Sequence, residues 1–355
     1  MDRRIPLLLT VALLTFAACR KDKDPDEEDA GQTPLTLSIP SFITDSGHVA
    51  HVGVGNPLTV EGVALGRMLF YEKALSDNYS MSCGSCHVQS SGFTDPLAFS
   101  VGTDGSVGGR NAMQVINMAF DEHFFWDGRR HSLEGQAHDP VTNMIEMRNT
   151  WPVVVQRLQA HSTYPELFRK AFGTTTVDSN LVVMAIAQFE RTLLSFNSPF
   201  DRYYYLGQLN AMNDQEIRGL DVFMRDGRCV DCHADPFFND HGLRNNGLDM
   251  DPADPGLGGI TGLASDVGKF KVPTLRNIAQ TGPYMHDSRF TTLEQVVNFY
   301  AHDVQVDNPH IDGHMDPWRF GLVNLTPEQE ADLVAFMHAL TDQDFLMDPA
   351  FSDPH

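Results

Sequence analysis

Two short strings of the same form, Cys83-Gly-Ser-Cys86-His87 and Cys229-Val-Asp-Cys232-His233, constrain this chain more than any other feature. A shuffled chain with 5 Cys and 15 His would contain about 0.003 such strings. Cysteines three apart on a helical turn point the same way, so both thiols reach the two vinyl groups of one porphyrin. The histidine next in the string meets the iron as proximal ligand. Structural zinc needs four ligands per site, and a thioredoxin-like pair carries no such histidine. Each string is therefore read as a covalent haem c site: Cys83, Cys86 and His87 for the first, Cys229, Cys232 and His233 for the second. They lie 146 residues apart (229 − 83), one haem to a domain. A chain of 355 residues is too long for one compact core and suits two domains of ordinary size.

The remaining cysteine, Cys19, ends an export signal: Arg3-Arg4, then an apolar run from Ile5 to Ala18. The layout resembles a bacterial lipoprotein leader, with Phe16 where leucine is usual. Lipidation of Cys19 and plain cleavage to a soluble periplasmic product both stay open. The expected organisation is a leader over residues 1–18, a flexible tether over 19–40 rich in charged residues, Pro and Thr, an N-terminal haem domain over 41–205 and a C-terminal one over 206–355. The expected location is the periplasm, with membrane contact only through a lipid on Cys19. The net charge of −22 excludes nucleic acid as a partner, since a phosphate backbone is bound by Lys and Arg.

Helical spacing dominates the body of the chain. Residues 61–75 (EGVALGRMLFYEKAL) read as a helix leading into the first haem string, and 213–226 as one opened by an Asn213–Glu216 box and leading into the second. Both strings come after a helix, the mark of an old duplication. Residues 181–194 are apolar almost all round and read as a buried core helix. Thr292 to Ala301 is a short helix, and Thr326-Pro327-Glu328-Gln329 caps another running to about Leu340. Residues 90–112 and 239–268 are loops. The expected class is mainly α: two cytochrome c-like haem domains with long loops and few strands.

From about Glu61 to Leu340 the chain resembles the bacterial di-haem cytochrome c peroxidase family, which includes MauG. Beyond the haem strings the likeness rests on Gly109-Arg110-Asn111, Phe125-Trp126-Asp127-Gly128-Arg129, Gln136, Ile145-Glu146-Met147, Pro273-Thr274-Leu275-Arg276-Asn277 and Pro283-Tyr284-Met285-His286. The resemblance implies that the N-terminal haem is peroxidatic, with Gln136 and Glu146 handling the protons of hydrogen peroxide and Glu146 as general acid/base. It implies that Trp126 stands between the haems as an electron relay. It also implies a calcium ion between the domains, held by Asn111 and the backbone carbonyls of Thr281 and Pro283; oxygen ligands from separated loops suit that ion.

Two departures from the classical pattern matter. Ser100-Val101-Gly102 is succeeded by Thr103, with no histidine in the loop to close off the first iron. The classical methionine ligand of the second haem aligns with Tyr300, as in MauG-like proteins; Met285, His286 and Met315 are the alternatives. A phenolate favours oxidised iron, whereas a thioether raises the potential. The leading expectation is a di-haem peroxidase fed by a small redox protein or drawing electrons from a protein substrate. The alternative is a di-haem electron carrier without catalysis.

Overall fold

The computed structural model describes residues 32–52 and 55–355; the leader, Cys19 and the first part of the expected tether lie outside them. The rest of that segment is not a tether. The Thr33 N–H donates to Glu61 at 2.8 Å, and Leu37 and Ile39 pack beside Ile43 and Phe196. The period-two alternation Leu35, Leu37, Ile39 is what anchors it.

Nine of the helices among the described residues carry the architecture. In the first half these are α1 (Val60–Tyr71), α2 (Leu133–Thr142), α3 (Trp151–Ala160), α4 (Tyr164–Phe172) and α5 (Ser179–Glu190). The second half contributes α6 (Asp214–Met224), α7 (Leu293–Asn298) and α8 (Pro327–His338), with α9 (Gln343–Met347) after them. The only sheet among the described residues is a two-residue antiparallel ladder, β1 (Leu243–Arg244) with β2 (Phe270–Lys271), pairing Leu243 with Lys271. The expected boxes form: Asn213 accepts from the N–H groups of Gln215 and Glu216, and Thr326 and Gln329 cap α8 reciprocally.

Each half is built on one closely packed helix pair. In the first, α1 lies on α5, with Leu65, Leu69, Phe70, Ile186 and Phe189 buried between them and the flanking helices. In the second, α6 lies on α8 around Phe223, Phe336, Leu333 and Val222. Each pair touches through a glycine. A side chain on Gly66 would overlap the Ala185 carbonyl, and one on Gly219 that of Asp332, so only glycine lets the backbones approach so closely. Burying a phenylalanine here stabilises by about 1.5–3 kcal/mol. The excursion over 239–268, expected as a solvated loop, is tied down: Asp254 holds Arg110 through two hydrogen bonds of 2.7 and 2.9 Å, and Asp249 pairs with Arg289. The chain then returns, because α9 leaves the second core and places Phe345 and Leu346 in the first.

Candidate functional site

A turn of helix over Cys83–Cys86, fixed by Ser82 donating from its N–H to Ser85 Oγ at 2.9 Å, presents the first two thiols and His87 to a cavity of about 410 Å³. The His87 Nδ1–H donates to the Phe93 carbonyl at 3.0 Å, leaving Nε2 as the ligand atom. Burial depresses the His87 pKa and keeps the ring neutral, the form that binds metal. Of the residues lining this cavity, His87 is the one imidazole.

Gln136, from α2, and Glu146, from the turn after it, line the same cavity. The Gln136 Oε1 atom is buried without a hydrogen-bond partner. Burial pushes the Glu146 carboxyl up, against the opposing influence of the Asn143 amide, which donates to it at 2.6 Å, and of Arg129. The Ser100–Gly108 loop packs on this turn, with the Thr103 N–H donating to the Glu146 carbonyl at 3.1 Å. A second carboxyl is not singled out by the sequence. Glu190, at the end of the helix read as pure core, lines the cavity with Oε2 unpartnered, and burial pushes its pKa up to about 8. Its only signal is a carboxylate inside an apolar run.

The second cavity, about 190 Å³, is lined by Cys229, Cys232 and His233, whose Nδ1–H donates to the Phe238 carbonyl at 2.9 Å. Tyr300 lines it from a widened π-turn, Phe299–Asp303, that continues α7; such turns recur at functional sites. Its phenol oxygen accepts from the Asn246 amide at 2.9 Å, and burial pushes the phenol pKa up. Met285, His286 and Met315 line the same cavity.

Seven residues line both cavities and make the partition: Asn111, Ala112, Met113, Gln114, Met118, Trp126 and Lys271. The Trp126 indole donates to the Asn111 carbonyl at 2.8 Å, and its own carbonyl accepts from the Lys271 N–H at 2.7 Å. Nothing in the sequence points to Lys271. Its ammonium, 5 % exposed, sits 2.8 Å from Asp121, which also accepts from His241 at 2.8 Å. Burial opposes ionisation of Asp121, but these two partners hold its carboxyl below the usual range. For an oxygen-seeking cation, Thr281 and Pro283 line the wall beside Asn111, whose buried Nδ2 has no partner; turning that amide over presents Oδ1 instead.

Paired thiols with a half-buried neutral histidine, twice over around a shared wall, define a protein built to carry two c-type haems. The sequence comparisons agree. The family model "Di-haem cytochrome c peroxidase" matches residues 60–209. Methylamine utilization protein MauG of Methylorubrum extorquens is 37% identical over 291 residues, 80% of this chain and 79% of that one. Cytochrome c551 peroxidase of Nitrosomonas europaea is 36% identical over 273 residues, 74% and 81%. A crystal structure of a MauG-like protein associated with microbial copper homeostasis superposes with TM-score 0.79 at 33% identity, covering 90% of this chain and 99% of that one. The chain belongs to the di-haem cytochrome c peroxidase family and is an oxidoreductase of that kind. No helix among the described residues is long and apolar enough to cross a membrane.

Proposed function

We propose that this protein is a periplasmic peroxidase that reduces hydrogen peroxide at the cavity of His87, with electrons entering through the cavity of His233. The observation that carries this reading is the first cavity itself: a half-buried carboxyl, Glu146, and an orphaned amide oxygen, Gln136 Oε1, share it with His87 and with no second imidazole. Cys83, Cys86 and His87 would hold one haem and Cys229, Cys232 and His233 the other, the bound iron supplying the peroxide-binding site and the redox chemistry. Glu146 takes a proton from the near oxygen of the peroxide and delivers it to the departing one; burial keeps its carboxyl poised for both. Asn143 fixes the carboxyl, and Gln136 accepts from the peroxide O–H. One peroxide, two electrons and two protons give two waters. Trp126, bonded into the partition at both its indole and its carbonyl, is the relay.

In this reading Tyr300 would bind the iron of the second haem. A donor to the phenol oxygen stabilises its ionised form, and Asn246 supplies one. With Thr103 in place of a closing histidine, this favours a MauG-like enzyme that oxidises a partner protein over one fed by a small redox protein. Calcium would be held by Asn111 Oδ1 with the carbonyls of Thr281 and Pro283, which accept no hydrogen bond among those of the described residues.

Two matched substitutions test the assignment. Glu146→Gln should lower peroxide turnover about 10²–10⁴-fold with both haems still attached, and Tyr300→Phe should alter only the low-spin spectrum of the second haem. Negligible wild-type turnover, or none lost in Glu146→Gln, would make the protein an electron carrier.

A further inference from the structure

The two proximal histidines are oriented by the same device. His87 donates to the Phe93 carbonyl and His233 to that of Phe238, and both phenylalanines adopt left-handed backbone angles, φ 59° and φ 53°. A bulky residue holds that conformation only where its surroundings fix it. Phe238 is fixed by its own core, its ring 5.0 Å from Phe200, 5.8 Å from Phe223 and 6.2 Å from Phe336 on α8. Phe93 has Phe70 on one side, and on the other a residue from beyond the second core, Phe345, at 5.6 Å.

That contact belongs to a continuous brace. Where α8 ends, the Asn277 N–H donates to the Leu340 carbonyl at 3.0 Å and its side-chain oxygen accepts from the Asp342 N–H at 2.8 Å. Asp342 then accepts from the Asn197 N–H at 2.9 Å and caps α9 by accepting from the Phe345 N–H at 3.2 Å. Gln89, two residues past His87, donates to the carbonyls of Phe345 at 3.3 Å and Asp348 at 2.9 Å. Beyond that point Tyr71 and Arg67 of α1 donate to the carbonyls of Phe351 and Ser352, each at 2.7 Å.

We propose that residues 342–352, through Phe345 and through the hydrogen bonds they receive from Gln89, are the positioning element for His87, so that the second core sets the proximal geometry of the first haem. The proposal rests on the reading of His87 as a proximal ligand. A carbonyl held firmly on Nδ1–H makes the imidazole a stronger donor to the metal; a loosened one makes it weaker.

Gln89→Ala, which leaves the apolar packing intact, and Phe345→Ala are compared with Phe345→Leu in the holoprotein. The number of covalent haems is counted first, and resonance Raman spectra of the fully reduced protein then report the iron–histidine stretch of the first haem. The expected result is two haems in every variant, with the stretch moved to lower frequency in Gln89→Ala and Phe345→Ala and restored toward wild type in Phe345→Leu. An unmoved band in both alanine variants with two haems bound would overturn the proposal while leaving the peroxidase reading intact. A five-coordinate, high-spin ferrous first haem with no iron–histidine band in the wild type would remove the ligand assignment, and the proposal with it.

Discussion

The two halves share one scaffold and differ in what it lines. The correspondence runs at an offset of 160 residues: Asn117 and Asn277 both sit in left-handed geometry before a turn of 3₁₀ helix, and Ser132 and Thr292 cap α2 and α7. Phe125 and Met285 share positive φ, as do Gly128 and Ser288. At that offset Trp126 faces its own counterpart, His286, with ring centroids 6.4 Å apart at the partition. Gln136 answers to Val296, and Pro140 to Tyr300. The scaffold therefore delivers one polar side chain to each cavity from a different turn of the equivalent helix. In the proposed reading the first cavity receives a group that manages protons, the second a group that addresses the metal. Duplication explains the frame; chemistry lies in the substitutions made on it.

The cores differ as well. Arg276 occupies the place of Ile116 and is fully buried, bidentate to Asp201 at 2.8 and 2.9 Å. Arg276→Met should cost about 3–5 kcal/mol by leaving Asp201 unpaired, against about 1 kcal/mol for Ile116→Val, read as denaturation midpoints monitored at each haem. Equal costs would show that the two cores are held alike. Gly66→Ala and Gly219→Ala should each cost about 1–3 kcal/mol, and nearly the same amount if the helix pairs are equivalent; a large disparity in urea denaturation would end the equivalence.

Glu190 supplies a pH-dependent contrast. Its carboxyl is raised from 4.5 to about 8 in the folded state, so its contribution is fully present below pH 4.5 and is lost as pH rises through 8. Wild type should lose ground to Glu190→Gln by about 1.4 kcal/mol per pH unit within that window. A stability difference independent of pH would mean that Glu190 is ionised throughout.

Local spacing makes much of this legible. The haem strings, the Asn213 and Thr326 boxes and the helices over 61–75 and 326–340 each depend on residues a few positions apart, and each stands in the structure close to where its pattern puts it. The family likeness leads to Gln136, Glu146 and Trp126, which do meet at one cavity. Other features stay hidden because their meaning is long-range. Glu190 looks like a lapse in an apolar helix until α2 and the first haem string close around it. Lys271 has no local pattern, and its partner Asp121 is 150 residues away. Nothing in Gln343–Met347 announces that its phenylalanine belongs to the other half of the molecule.

That crossing has a bearing on biogenesis. Phe345 and Leu346 are made only after the whole second core, yet they are part of the first. The half that leaves the ribosome first is the one finished last. Any extension added near this segment would disturb the half that carries the first haem string rather than its immediate neighbours in sequence.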